Sequence, residues 1–513
     1  MGPIEVQKME RSMGIVLNKA DGDPLYKQLF DQVVRRILSG AFPPGFRLPP
    51  TRELAAELST NRNTVVRAYA DLENAGFVKS AVGRGTFVAL QAPTPVVTPR
   101  PAEGGLPWAS LVSGPSKLES LRRARRFQAV AAGRDVVNLT RMQPSPDLIP
   151  DKLLRRCFEH VLRQKGADAL GYAPAEGLPR LRELIVEDLA RQGVPARAED
   201  VVITSGSQQA LDLIARSLID PGDNFLVDAA TYSGAIDAFS LTNARLVPVP
   251  SDAEGPDMGS LERLTRAGAK GLYIMPNCNN PTGAEISTER RRSLVAWSEH
   301  AGVPLIEDDY GSDLWLGDEP PPPALRSLSG DVLYVGTFSK KLVPALRVGF
   351  VVCPPALRPT LVYVKKAVDL GSSLVLQYVL AEFLERGYLR AHLGRTLPEY
   401  RARRDALEES LAKYLPQGMT WRRPERGLVL WLSLPEDMDS DAVFEEAQRR
   451  GVLVGPSALY EVEVRRERGL RLAFCAENAA RLSLGGKRLG EALRALVKQP
   501  RRAKAAGAEL QTV

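Results

Sequence analysis

The stretch TFSKKLVPALRVGF, residues 337–350, holds the residues with the clearest chemical capacity. A lysine delivered by a buried strand to the mouth of an α/β sheet can form a Schiff base with an aldehyde-bearing cofactor, and Lys340 follows the apolar run VLYVG in that way. Thr337 and Ser339 flank it, and Arg347, a few residues on, has the charge to hold a phosphate. A second apolar run ends in EDDY, placing Asp308 and Tyr310 where a carboxylate can keep a pyridine-ring nitrogen protonated and a phenol can bond a ring oxygen. Three successive carboxylates would repel one another if all were buried. Of Glu307, Asp308 and Asp309, at least one is therefore expected to face solvent, with Asp308 turned inward. In VVITSGSQQA a strand, a glycine turn and a helix start put the backbone N–H groups of Gly206, Ser207 and Gln208 where a helix favours an anion. Tyr232 is placed to stack on a flat ring, and Asn280, in NNPTG, to donate to a phenolic oxygen. Each motif is common singly; the weight lies in their coexistence.

The elements that must position these residues follow from periodicity. VVIT (201–204), NFLVD (224–228), GLYIM (271–275), VPLIE (303–307), VLYVG (332–336) and VGFVV (348–352) read as buried strands, and segments such as SQQALDLIARSLI between them read as helices. Alternation of this kind predicts an α/β fold, a mostly parallel sheet covered on both faces. Upstream, APTPVVTPRPAEGGLP is too proline-rich for regular helix and reads as an extended linker, followed by a basic patch, LRRARRF, at 121–127.

The first ninety residues follow a different pattern. PLYKQLFDQVVRRILS sets Leu29, Val33 and Ile37 on one helix face, with Tyr26 and Phe30 beside them. Two short helices, TRELAAEL and RNTVVRAYADLENAG, follow at helix-turn-helix spacing, the second capped by Asn61. FVKSAVGRGTFVA then reads as a two-stranded wing with Arg84 at its tip. Over residues 24–90 this string resembles the winged helix-turn-helix of the GntR family of bacterial regulators, with Pro50 where that family usually has a helix-capping serine. The resemblance implies a double-stranded DNA partner, with Arg52, Arg62, Asn63, Thr64 and Arg67 facing the duplex and Arg84 reaching the minor groove or backbone.

From about residue 138 to 500 the ordered set of motifs resembles the fold-type I aminotransferases. That resemblance implies pyridoxal 5′-phosphate as cofactor, with Lys340 as the internal aldimine lysine and general base, and Asp308 as the pyridinium partner. It implies Asn280 and Tyr310 on O3′, Tyr232 stacked on the ring, Gly206, Ser207, Gln208, Thr337 and Arg347 about the phosphate, and Ser339 among the cofactor-binding residues. Arg471, in GLRLAFC, would clamp a substrate carboxylate. Tyr172, in GYAPAEGLPRLRE, matches a tyrosine that reaches the phosphate from a partner subunit.

A GntR winged helix, a proline-rich linker and an aminotransferase-like domain together resemble the MocR subgroup of regulators, which implies a homodimer. The expected division is an N-terminal extension (1–22), a winged helix (23–90), a linker (91–135), a cofactor domain (136–500, with a small subdomain from about 370) and a disordered tail (501–513). The expected function is transcription regulation sensing pyridoxal phosphate, an amino acid or a related small amine. The alternative is a working aminotransferase, amino acid to 2-oxo acid, with an accessory winged helix. A third possibility is a DNA-binding protein whose cofactor domain is dead. Composition adds bounds: 44% hydrophobic and 25% charged residues suit a globular chain, and a net charge of +7 permits a nucleic-acid partner without demonstrating one. Four scattered cysteines and three scattered histidines give no disulfide or metal framework, and with no run of about 18 apolar residues neither a transmembrane helix nor a secretory signal is expected. A cytoplasmic location is the expectation.

Overall fold

The computed structural model describes residues 13–18, 23–81, 85–89, 111–112, 127, 135–319, 321–462 and 468–498. The chain divides into two units, Met1–Trp108 and Ala109–Val513.

In the first unit, α1 (Leu25–Leu38), α2 (Thr51–Glu57) and α3 (Arg62–Asn74) are followed by the wing strands β1 (Val78–Ala81) and β2 (Gly85–Val88). The i, i+4, i+8 face Leu29, Val33 and Ile37 of α1 packs against Val65, Ala68, Tyr69 and Leu72 of α3, an i, i+3, i+4, i+7 stripe. Asn61 caps α3, its side chain accepting from the Asn63 N–H at 2.9 Å. Pro50 gives α2 no side-chain cap, yet the helix starts at Thr51, because a capping residue's carbonyl still accepts the first helical bond. Leu54 N–H donates to Pro50 O at 3.0 Å, and the Tyr69 hydroxyl secures the same turn through Pro49 O at 2.9 Å. β1 and β2 pair antiparallel from Val78↔Val88 to Ala81↔Gly85; the tip, with Arg84, lies outside the described residues. Residues 13–18 also belong to this unit. Met13 and Ile15 are buried in its core, and the Gln32 amide bonds both the N–H and the carbonyl of Val16.

The second unit is built on a seven-stranded sheet. Its strands in chain order are β3 (Val201–Thr204), β4 (Asn224–Asp228), β5 (Arg245–Val249), β6 (Ala269–Ile274), β7 (Leu305–Asp309), β8 (Leu333–Thr337) and β9 (Gly349–Val352). They lie in the order β3-β9-β8-β7-β6-β4-β5, and only β9 runs antiparallel to its neighbours. Successive residues of each strand feed opposite layers. Phe225, Tyr273, Ile306 and Val335 pack on one face with Leu211 and Ile214 of α4 (Ser207–Leu218). Leu272, Leu305, Ile203, Tyr334 and Phe350 pack on the other. β7 and β8 run to Asp309 and Thr337, past the apolar runs that mark them in the sequence, because their polar ends also join the ladder.

A second sheet, β10 (Thr420–Trp421), β11 (Val429–Ser433), β12 (Gly455–Pro456) and β13 (Gly469–Ala473), has the order β10-β11-β13-β12. Val137–Asn138 pairs parallel with Val452–Leu453, and Val137, Leu139 and Leu148 enter the same core as Leu430, Leu472 and Leu489. Buried Arg403 fastens this early segment, donating to Ser145 Oγ (2.6 Å), the Cys475 carbonyl (2.8 Å) and Asp147 (2.8 Å). Phe127, the last residue of the basic patch, is buried edge-on against Phe444 at 5.1 Å; the rest of the patch and the tail 501–513 lie outside the described residues. Among the described residues no helix is long and apolar enough to cross a membrane.

Candidate functional site

The residues at and beyond the carboxyl ends of β4, β7 and β8 bring Asp308 within electrostatic reach of both Tyr232 and Lys340, on the side where open α/β sheets bind ligands. The expectation that one of the three carboxylates at the end of β7 faces water is not met. Glu307, Asp308 and Asp309 are all buried, 0%, 4% and 5% exposed. Strand alternation separates Asp308 from the other two, and each has its own donors. Glu307 accepts from the N–H groups of Leu325 (3.1 Å) and Arg326 (2.8 Å). Asp309 accepts from the Tyr334 hydroxyl (2.7 Å) and the Ser312 N–H (2.9 Å). Asp308, on the opposite face, accepts from the Tyr273 hydroxyl at 2.7 Å through Oδ2, while its buried Oδ1 has no partner.

Burial pushes the Asp308 carboxyl up to about 7; Asp309 adds to that, while the Tyr273 bond and the Lys340 charge oppose it. Lys340 is held below its ordinary value, chiefly by burial, with Arg471 and Arg347 pushing the same way and Cys475 and Asp308 opposing. Its Nζ donates to the Met142 carbonyl. Arg471, on β13, donates to Asn280 Oδ1 (3.0 Å) and the Thr140 carbonyl (2.7 Å), and its guanidinium lies 4.9 Å from the Tyr460 ring centroid. Since arginine only donates, the Asn280 oxygen faces Arg471, which leaves the amide nitrogen to donate elsewhere. The half-buried Tyr310 hydroxyl sits 3.1 Å from Cys278 Sγ. Tyr232 follows β4, its hydroxyl donating to Gln208 Oε1 at 3.2 Å, and feels the charges of Asp308, Arg471 and Arg347.

The anion cradle opens α4. Gly206 occupies the N-cap at φ +92°, so no side chain caps the first turn, a helix start of the kind that favours an anion. A Cβ at Gly206 would lie 2.8 Å from the Arg347 guanidinium, which donates to Ser205 O at 2.8 Å. Gly349, on β9, packs so closely that its own Cβ would meet the Gly206 carbonyl carbon at 2.7 Å. The Gln208 side chain turns away to Gly234 O (2.6 Å), so Gln208 can offer the cradle only its backbone. Thr337 Oγ1 donates to Ser339 Oγ at 3.1 Å and accepts from the Ser339 N–H at 3.2 Å. Tyr172 stands apart from these groups at 84% exposure.

These groups fit pyridoxal 5′-phosphate. An orphaned buried carboxylate oxygen needs an N–H donor, the cradle offers amide donors beside an arginine, and a desolvated lysine favours the neutral amine. Among the described residues no cluster of His, Cys, Asp or Glu fit for a metal occurs, and all four cysteines are free and buried.

Residues 134–483 match the family described as aminotransferase class I and II, and residues 25–88 match the bacterial regulatory proteins of the gntR family. The probable rhizopine catabolism regulatory protein MocR of Rhizobium meliloti is 32% identical over 86% of this chain and 88% of its own length. The chain belongs to the MocR-type family. A second MocR-type architecture, the uncharacterized HTH-type transcriptional regulator YisV of Bacillus subtilis, is 31% identical over 92% of this chain and 97% of that protein. Crystalline LysN, the α-aminoadipate aminotransferase of Thermus thermophilus, superposes with TM-score 0.70 at 30% identity, covering 76% of this chain and 99% of that one. The aminotransferase half of a MocR-type chain is of a pyridoxal-phosphate-dependent family, and the winged half is of a DNA-binding type.

In the first unit, Arg52 is exposed on α2, and Arg62 and Asn63 are exposed and Thr64 half-exposed at the start of α3. Arg67 is exposed but lies 3.8 Å over the Tyr26 ring, an anchorage the sequence reading did not include. Sequence reasoning also missed Tyr273, hidden as one more apolar position of a strand, and Thr140, Met142, Tyr460, Cys278 and Cys475, which become neighbours of the site only through the fold.

Proposed function

We propose that this MocR-type chain is a transcription regulator that binds an operator through its winged helix and senses pyridoxal 5′-phosphate, or the cofactor together with a small amino compound, through Lys340. The observation that supports this reading most is the buried, unpartnered Asp308 Oδ1 near the charge of a desolvated lysine, in a chain that also carries a capped second helix of a helix-turn-helix. Pyridoxal phosphate supplies an aldehyde that bonds amines reversibly and a ring that accepts electrons. Asp308 would hold the ring nitrogen, Asn280 and Tyr310 the ring oxygen and Tyr232 the ring face. The N–H groups of Gly206, Ser207 and Gln208, with Thr337, Ser339 and Arg347, would hold the phosphate. Lys340 would provide the amine and Arg471 would take the carboxylate of an amino acid effector. Arg52, Arg62, Asn63, Thr64, Arg67 and Arg84 would contact the duplex. A cytoplasmic homodimer, with exposed Tyr172 reaching the partner's phosphate site, completes the proposal and matches two reading heads to two half-sites.

The domain boundaries 23–90 and 136–500 go with it. Regulation is then a coupling free energy between the two sites, typically ~1–3 kcal/mol, so operator affinity should change roughly 5- to 150-fold. The test titrates the protein with its own upstream DNA at fixed salt, with and without pyridoxal phosphate and a panel of amino acids. Lys340→Ala should abolish the response; a full response in that variant rules out this version.

The aminotransferase alternative is supported by one observation: Lys340 lies within electrostatic reach of both Asp308 and Arg471, and Arg471 bonds Asn280. Sustained turnover with a 2-oxo acid at ordinary enzymatic rates would support it. A single half-reaction would support the regulator.

A further inference from the structure

Behind the anion cradle lies a set of polar groups that take no direct part in the site as described. Every polar group of Ser205 is held. Its N–H donates to Gln209 Oε1 at 2.7 Å, its hydroxyl donates to Ser372 Oγ at 3.2 Å, and its carbonyl accepts from Arg347 at 2.8 Å. Gln209, one residue beyond the amides that face the anion, donates its own Nε2 to Asp369 Oδ2 at 2.8 Å. Asp369 is gripped in turn by Lys365, whose fully buried Nζ lies 2.8 Å from both carboxylate oxygens and 3.1 Å from Ser372 Oγ. Asp369 also accepts from the Gly371 N–H at 2.9 Å, closing a turn in which Leu370 (φ +57°) and Gly371 (φ +134°) both take left-handed backbone. Gln377, 0% exposed, ties that turn onward, donating to Ser372 O at 2.9 Å and accepting from the Leu178 N–H at 2.7 Å.

A buried lysine–carboxylate pair is poor evidence for stability, because its desolvation offsets most of the attraction. It does fix geometry, and here it fixes the side chain that holds the Ser205 N–H, in the peptide just before the cradle, while Arg347 holds the Ser205 carbonyl. We infer that Gln209, clamped by the Asp369–Lys365 pair, is a positioning residue that aims the cradle amides at a phosphate monoester, the 5′-phosphate of the cofactor. The inference rests on the cofactor reading above. It separates the phosphate from the ring. Loss of the clamp should weaken binding of pyridoxal 5′-phosphate and leave binding of unphosphorylated pyridoxal unchanged.

The experiment titrates full-length protein with pyridoxal 5′-phosphate and with pyridoxal, following the absorbance of attached cofactor, and reads the ratio of the two affinities. Gln209→Ala removes no charge and should lower the ratio by about five- to tenfold, the worth of one neutral hydrogen bond. Gln209→Glu sets a second carboxylate against Asp369 and should lower it further. Combining Gln209→Glu with Asp369→Asn exchanges donor and acceptor across the same contact and should restore most of the ratio. If Asp369→Asn unfolds the protein, Gln209→Ala alone decides. A wild-type ratio near one overturns the cofactor reading itself. A high wild-type ratio kept in both Gln209 variants overturns the role assigned to Gln209 while leaving that reading intact.

Discussion

Asp308 shows what one side chain can report. Burial raises its carboxyl to about 7, against about 3.9 in an unfolded chain, so between those values the folded protein holds a proton that the unfolded chain releases. Stability of cofactor-free protein should therefore fall as pH rises from about 4 to about 7. Glu307 and Asp228, also buried and raised to about 7, slope the same way. Asp308→Asn should flatten part of that slope in thermal melts of stripped protein. It should also weaken pyridoxal phosphate binding by roughly 10- to 100-fold, the worth of a charged hydrogen bond of about 1.5–3 kcal/mol. A steeper slope in the variant would contradict the assignment. Arg471 belongs to the same scale. Arg471→Ala should weaken the effect of amino acid effectors by roughly 10- to 100-fold, since charge-assisted bonds to a carboxylate are worth about 1.5–3 kcal/mol, while the binding of cofactor alone changes much less. Titrating operator affinity against amino acid at saturating cofactor measures this. Sequence made Asp308 and Arg471 legible, but not Tyr273. A tyrosine inside GLYIM reads as core until β6 and β7 are seen side by side, with Leu305 opposite Leu272 and Ile306 opposite Tyr273.

At the scale of the element, the proposed function assigns recognition to a helix start in each half. At α4 the glycine is needed twice over, for φ +92° and for the approach of Arg347. Gly206→Ala should cost cofactor affinity at least tenfold, as about 1–3 kcal/mol of left-handed strain adds to the crowding of Arg347. Equilibrium dialysis against pyridoxal phosphate would show it, and unchanged affinity would remove Gly206 from the cradle. At α3, Arg62 and Asn63 stand exposed at the helix start beneath the Asn61 cap. Arg62→Ala should reduce the slope of log affinity against log salt by about 0.9 if the residue pairs a phosphate. If it reads a base edge, the slope should stay and discrimination at one position should relax by about 1–3 kcal/mol. β5 and the second sheet lie outside the apolar runs read as strands, whereas the other six strands of the large sheet and the helices of the first unit follow from apolar spacing. Their ends do not, because β7 and β8 continue into residues whose polarity argues for loop until their partners are known.

For the molecule as a whole, the first unit has its own core, whose members among the described residues run from Met13 to Val88. A fragment of residues 1–108 should therefore fold and bind DNA, while losing any response to pyridoxal phosphate and amino acids. Circular dichroism and an operator titration check both halves of that expectation. A response retained by the fragment would place the sensor outside the aminotransferase domain.

The sequence by itself determined the two kinds of domain, because periodicity, glycine turns and ordered motifs are local and survive without the rest of the fold. It also determined which lysine, which arginine and which glycine turn to examine. Only the tertiary structure decided how three adjacent carboxylates are all buried, since their donors come from Tyr273, Tyr334 and the backbone at Leu325, Arg326 and Ser312. It alone decided that Thr140 and Met142, more than 190 residues upstream of the groups they hold, supply carbonyls to Arg471 and Lys340. Burial and partnership are properties of space around a residue, and that space is filled by chain too distant in sequence for any local pattern to foretell.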